Sequence, residues 1–267
     1  MSALTLCDSL SPGLMGTRLT TMLLRCPRMI LPELLTHRSF SRSTESSRAV
    51  NSVKRASLSV YTPTEIGKDC KGMQRKENLT GIRKLWAKAG WGVAILGSRV
   101  GARMMRQAGT HKQHANRPLD WCGYVEVIVT GDSEAWENFL TLRDHEDAQP
   151  EMQELAKEVK HAYSSSTPTS REFHIPYDIG ERFTLRGRIN ASAGYCAGIS
   201  FLNHGKAEWQ KAEMLGHKLK GHTPAHLSPY EHQALSDKCF PQKYYNLRGW
   251  KNYRYLITEC QDDLPTL

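Results

Sequence analysis

Residues 36–49 read THRSFSRSTESSRA, and the rest of the chain is organised around them. These fourteen residues hold His37, three arginines (Arg38, Arg42 and Arg48), seven hydroxyl side chains and one carboxylate, Glu45. Guanidinium groups pair with phosphate oxygens in bidentate fashion, and Ser/Thr hydroxyls with backbone N–H groups complete an oxygen shell. The stretch therefore reads as an anion site. By composition alone it also reads as a solvated Ser/Arg-rich loop, so its neighbours decide.

At 267 residues with 39% hydrophobic content and six Trp, the chain can bury a substantial core. We expect one domain over residues 1–267, with polar surface excursions at 50–77 and 164–186. Thirty-six Lys and Arg against 27 Asp and Glu give a net charge of +9, which suits a nucleotide, a folate, nucleic acid or an acidic surface. The seven cysteines form no CxxC pair, so a reducing, cytoplasmic setting fits better than a zinc ribbon or a disulfide framework. The longest apolar run, residues 93–96, is far short of the roughly 20 residues a membrane span needs. The basic first 30 residues resemble a mitochondrial presequence, but residues 18–31 run straight into the key loop.

Residues 17–35 read as an apolar strand or short helix delivering that loop. Residues 79–105 carry apolar positions at a helical period, weakened by Gly90, Gly92 and Gly97. GYVEVIVT, residues 123–130, is a strand, after which Asp132 or Ser133 caps a helix. AQPEMQELAKEVKHAY starts a helix with Pro150 in its first turn. Small residues over 190–200 and a second segment over 207–219 suggest two more helices. SPYE, residues 228–231, has the form of a capping box, so a helix is expected to begin at Ser228 and to offer free N–H groups to an anion.

Three stretches carry chemistry together. In the first, His37, Arg38, Ser41, Ser46 and Arg48 fall on the pattern Arg-His-Arg, two residues, Ser, one, Asn-Glu, one, Ser, one, Arg-Tyr, while Thr36, Ser43, Thr44 and Ala49 depart from it. The second is WENFLTLRDHEDAQPEMQELA, residues 136–156, with HKQHANRPLD upstream. The third is HLSPYEHQA, residues 226–234, preceded by CAGISFLNHG. Together they resemble the flavin-dependent thymidylate synthases, the thymidylate synthase complementing protein family. Here the third stretch follows the first instead of preceding it, so the chain resembles a circularly permuted, phage-type member; such an order is tolerated where the old termini lie close together.

The resemblance implies an α+β fold, a central mainly antiparallel sheet flanked by helices, in a homotetramer with sites shared between subunits. It implies reductive methylation of dUMP to dTMP, with FAD as flavin, methylenetetrahydrofolate as carbon donor and NADPH as reductant. His37, Arg38, Asn138, Ser200, His226 and Ser228 would contact FAD. Ser46, Arg48, Arg117 and Arg143 would hold the nucleotide, with Arg143 and Ser46 at the chemistry; a fixed guanidinium stabilises charge developing on a ring carbonyl. Without the resemblance, Arg143 is equally a helix-end residue and Arg117 a loop arginine. No cysteine nucleophile is expected, because Cys239-Phe240-Pro241 lies outside all three stretches. His217, His222, His226 and His232 are not expected to form a metal site, since Thr223-Pro224 interrupts them. Two other readings stay open: a related flavoenzyme acting on another pyrimidine nucleotide, and a basic nucleic-acid-binding protein, for which aromatic residues are not suitably interleaved with Lys and Arg.

Overall fold

The computed structural model describes residues 1–13, 16–72, 74–238 and 242–260. Its centre is a five-stranded sheet of β1 (Ser2–Leu10), β2 (Arg18–Pro27), β3 (Ser41–Thr44), β4 (Tyr124–Asp132) and β5 (Thr169–Ser170). The strand order is β3-β4-β2-β1-β5, and only the β1–β5 pair is parallel. A smaller sheet joins β6 (Phe173–His174), β7 (Ala234–Ser236) and, after a hairpin of β8 (Lys243–Tyr244) and β9 (Leu247–Arg248), β10 (Trp250–Asn252). The helices are α1 (Leu31–Leu35), α2 (Ser52–Ser57), α3 (Gly81–Gln107), α4 (Lys112–Ala115), α5 (Ser133–Arg143), α6 (Pro150–Ser165), α7 (Leu185–Ala197), α8 (Trp209–Gly221) and α9 (Tyr253–Glu259). This is the α+β arrangement expected, a mainly antiparallel sheet with helices on both faces.

Alternation along β2 and β4 sorts the two faces. Met22, Leu24 and Cys26 lie beside Val125, Val127 and Val129, covered by Trp136 and Phe139 of α5 and Met152, Leu155 and Val159 of α6. Each such aliphatic or aromatic side chain contributes roughly 1.5–3 kcal/mol on burial. Asp132 ends β4 and caps α5, its Oδ1 accepting from the Ala135 N–H at 2.9 Å. On the opposite face Ile128 packs with Cys196 and Ile199, at the end of α7 and in the turn after it.

The run of small residues in α7 has a physical reason. A Cβ on Gly194 would lie 1.8 Å from the Ala212 carbonyl oxygen of α8, and one on Gly216 would lie 2.2 Å from that of Asn190. The two helices touch backbone to backbone. By contrast α3 stands away from the sheet: Ile95 and Ala102 are buried, while Ile82, Leu85, Trp86, Val93, Leu96, Val100 and Met104 are exposed. Its apolar periodicity is real, but within one chain that face has no cover.

One expectation changes. The helix starting at Ser228 is a single 3-10 turn, Ser228–Glu231, without a side-chain cap; Tyr230 is buried against α9, which draws the chain away into β7. Residues 164–186 supply β5 and β6 and bury His174 and Ile175. The basic N-terminal region provides β1, paired along its length with β2. Among the described residues no helix is long and apolar enough to cross a membrane.

Candidate functional site

The 36–49 loop is held from below by a buried ion cluster. Glu45 and Arg55 are both buried and paired; Arg28 lies 3.5 Å from Glu45, and Asp120 lies 3.2 Å from Arg55. Burial pushes the Glu45 carboxyl up, against the pull of Arg55 and Arg28. Asn116 Nδ2 donates to the carbonyls of Ser47 (2.7 Å) and Val50 (3.0 Å), and Lys112 Nζ donates to that of Ala49 at 3.2 Å. Arg42 donates to the carbonyls of Leu35 and His37. So the single carboxylate of the loop is structural, and the loop is fixed rather than solvated.

Above it lies a cleft of about 810 Å³. Its floor is Ser43, Ser46 and Arg48, joined to the turn after α7 by the Ser46 N–H donating to the Ser200 carbonyl at 3.4 Å. Lys112 and Gln113 at the start of α4, Leu215 and Leu219 of α8, and His226, Ser228 and Pro229 line the rest. Arg42, Arg48 and Lys112 put three cations on this lining, and among the described residues no carboxylate joins them. Five residues picked from the sequence thus meet here: Ser46, Arg48, Ser200, His226 and Ser228.

The others do not line it. Arg143, the last residue of α5, donates from Nε to His37 Nε2 at 2.9 Å and from Nη2 to Thr36 Oγ1 at 3.3 Å. Burial, then the charges of Arg143 and Arg42, push the His37 imidazole down to about 4. Arg38 and Asn138 are exposed, the latter one residue before Phe139, whose ring meets that of His37 edge-on at 5.1 Å. His37 and Arg143 form a second group, and Arg38 and Asn138, like them, are outside the cleft lining. Arg117 is exposed and pairs with Asp120 at 3.4 Å. Its stretch instead places Lys112 and Gln113 on the cleft and buries Asn116 beneath the loop. Sequence reasoning missed Lys112 and Asn116; the signal available was the same HKQHANRPLD segment, read at its one arginine.

Among the described residues no group of three or more His, Cys, Asp or Glu is placed to hold a metal. His217 bonds to Asn190 at 3.1 Å, and His232, just after the 3-10 turn, is buried between Thr130 and Ser43. Cys239-Phe240-Pro241 lies outside the described residues.

No curated protein matches the chain. Among solved structures, it is similar to flavin-dependent thymidylate synthase ThyX from Helicobacter pylori complexed with FAD and dUMP, at 19% identity and a TM-score of 0.39, covering 54% of this chain and 67% of that one. It is also similar to the UMP/dUMP methylase PolB from Streptomyces cacaoi bound with 5-Br dUMP, at 19% identity and a TM-score of 0.47, covering 55% and 66% respectively. The family model described as "Thymidylate synthase complementing protein" matches residues 17–169, which include the first two stretches and the strands and helices that carry them. On that match, over more than half its length, the chain belongs to the thymidylate synthase complementing protein family.

Proposed function

We propose that the chain is a flavin-dependent thymidylate synthase that methylates dUMP to dTMP reductively, in the cytoplasm, using FAD, methylenetetrahydrofolate as carbon donor and NADPH as reductant. The observation that carries this, in a member of the family, is a cleft whose lining holds Arg42, Arg48 and Lys112 together with Leu215, Leu219 and Pro229. Its volume is in the roughly 300–1,000 Å³ range of small-molecule sites. Cations and hydroxyls beside apolar side chains suit a ligand with phosphates and a flat ring, so the donor set fits both flavin and nucleotide.

Bound FAD would supply the hydride. The work of the chain is positioning and charge stabilisation. Arg48, Lys112 and Ser46 bind phosphate oxygens, Ser200, His226 and Ser228 hold the flavin, and the apolar flank excludes water. Arg143, with His37, Arg38 and Asn138, would complete the site from another copy in a homotetramer. Two facts support this: the second group is absent from the cleft lining of its own chain, and the exposed apolar face of α3 suits burial between copies. The position of the third stretch beyond the family match, yet in the same cleft, supports the permuted order.

The test is a flavin titration of the purified protein followed by product analysis with dUMP, methylenetetrahydrofolate and NADPH. Yellow protein that forms dTMP is expected; failure to bind FAD would overturn the reading. Ser43, on the cleft floor in place of the asparagine of the pattern, favours a second reading, in which the accepted base differs. Product from dCMP or UMP with none from dUMP would select it.

A further inference from the structure

Beneath the cleft a single file of hydrogen bonds crosses the sheet. Ser43 Oγ lies 2.9 Å from His232 Nε2, and His232 Nδ1 lies 2.9 Å from Thr130 Oγ1. Thr130 and Thr21 are register partners on β4 and β2 with their hydroxyls 2.6 Å apart. Thr21 then meets His174 Nε2 at 2.7 Å, and His174 Nδ1 meets Ser9 Oγ at 2.8 Å. Beyond Ser43 every member is fully buried. Burial pushes both imidazoles down to about 3, so each ring is neutral and carries one hydrogen.

Counting hydrogens fixes how this file can be ordered. Three contacts separate the rings: His232 to Thr130, Thr130 to Thr21, and Thr21 to His174. Each contact takes one hydrogen, and the two hydroxyls supply two. The third comes from one ring nitrogen only. If it is His232 Nδ1–H, then Nε2 of His232 is bare and accepts from Ser43, while His174 is left with its hydrogen on Nδ1 and donates to Ser9. If it is His174 Nε2–H, then His232 carries its hydrogen on Nε2 and donates to Ser43, whose own hydrogen is free for the cleft. Both rings therefore carry the same tautomer.

We propose that Ser43 is a ligand-reading hydroxyl of the cleft, and that the tautomer shared by His232 and His174 sets whether it donates or accepts. His232 and His174 are positioning residues. The carbonyl and phosphate oxygens of a pyrimidine nucleotide only accept, so a nucleotide held by Ser43 through one of them selects the Nε2–H form, in which Ser43 donates. This ligand step rests on the nucleotide reading given above, whereas the shared tautomer does not.

Nitrogen-15 spectra of the histidine-labelled full chain at neutral pH separate protonated from bare ring nitrogens. In the free protein, His232 and His174 are expected to show the same tautomer; opposite tautomers overturn the relay. With saturating dUMP, both are expected to shift together toward Nε2–H, and a shift at His232 with none at His174 overturns it equally. Thr21→Val, close to isosteric, should abolish the response of His174 while that of His232 persists. Ser43→Ala changes only the cleft end: it should weaken dUMP binding about tenfold, the effect of one hydrogen bond to a charged group, and leave His174 unresponsive. Unchanged affinity in Ser43→Ala overturns the role of Ser43. Wild-type protein that binds no dUMP overturns the nucleotide reading and the ligand step with it, while the free-state spectra still decide the relay.

Discussion

Nε of Arg143 donates to Nε2 of His37 across 2.9 Å, so the end of α5 and the start of the arginine-rich loop act as one unit. The contact leaves Nε2 without a hydrogen and keeps the imidazole neutral beside a fixed cation. Replacing Arg143 with Ala should raise the His37 value from about 4 toward the ordinary 6.5 without reaching it, because burial is the larger cause. Turnover should fall about 100- to 1,000-fold, the usual effect of losing one charge-stabilising donor, with flavin affinity much less altered. Proton NMR titration and steady-state kinetics check the two halves; near-normal turnover would reduce Arg143 to a helix-end residue.

Three buried imidazoles make stability depend on pH in a defined window. His37, His174 and His232 are pushed down to about 4, 3 and 3 by burial, whereas in the unfolded chain they titrate near 6.5. Between those values the unfolded state binds more protons, so stability is complete above about pH 6.5 and is lost as pH falls. Each ring contributes up to about 1.4 kcal/mol per pH unit in that range. Urea midpoints measured from pH 7.5 to 5 should fall steadily, and His232→Gln should flatten the slope. A midpoint independent of pH would show that these rings are not neutral in the fold.

Glu45 is the shared acceptor of Arg55 and Arg28 under the loop. Glu45→Leu would leave two guanidiniums facing each other in a buried space, a loss of about 3–5 kcal/mol by the usual cost of breaking a buried pair. Chemical denaturation measures it. A change below about 1 kcal/mol would mean that Asp120 alone satisfies the cluster.

Lys112 lines the cleft, whereas Thr36, which replaces an arginine of the pattern, lies outside it beside Arg143. Lys112→Met should cut the preference for dUMP over deoxyuridine by about tenfold, since a charge-assisted hydrogen bond contributes roughly 1.5–3 kcal/mol. Calorimetry with both ligands on flavin-loaded protein reads this ratio directly, and an unchanged ratio would remove Lys112 from the phosphate site.

The sheet and its α5–α6 cover were legible because β4, the Asp132 cap and Pro150 are local signals: one short segment determines each. The cleft was legible only in part. Ser46, Arg48, Ser200, His226 and Ser228 could be found by pattern, whereas Lys112 reaches the site through the path of the chain around Asn116, which no local spacing encodes. Ser228 misled for a related reason. SPYE has the local form of a helix start, but burial of Tyr230 against α9 ends the helix after one turn. Strand β1 was hidden because its polar positions, Asp8 and Ser9, find partners on other elements, Arg18 and Thr20 on β2 and, far along the chain, Ser166 and His174.

The contact of Gly194 with Ala212 and of Gly216 with Asn190 leaves no rotamers between α7 and α8 to take up a displacement. That wall of the cleft is stiff, and the pair can shift only as one block. Of the three cations on the lining, Arg42 is tied to the carbonyls of Leu35 and His37 and Lys112 to that of Ala49, whereas Arg48 is exposed and keeps several rotatable bonds. Adjustment to ligands of different size therefore falls first to Arg48, while the α7–α8 pair acts as a fixed gauge against which a flat ring is measured.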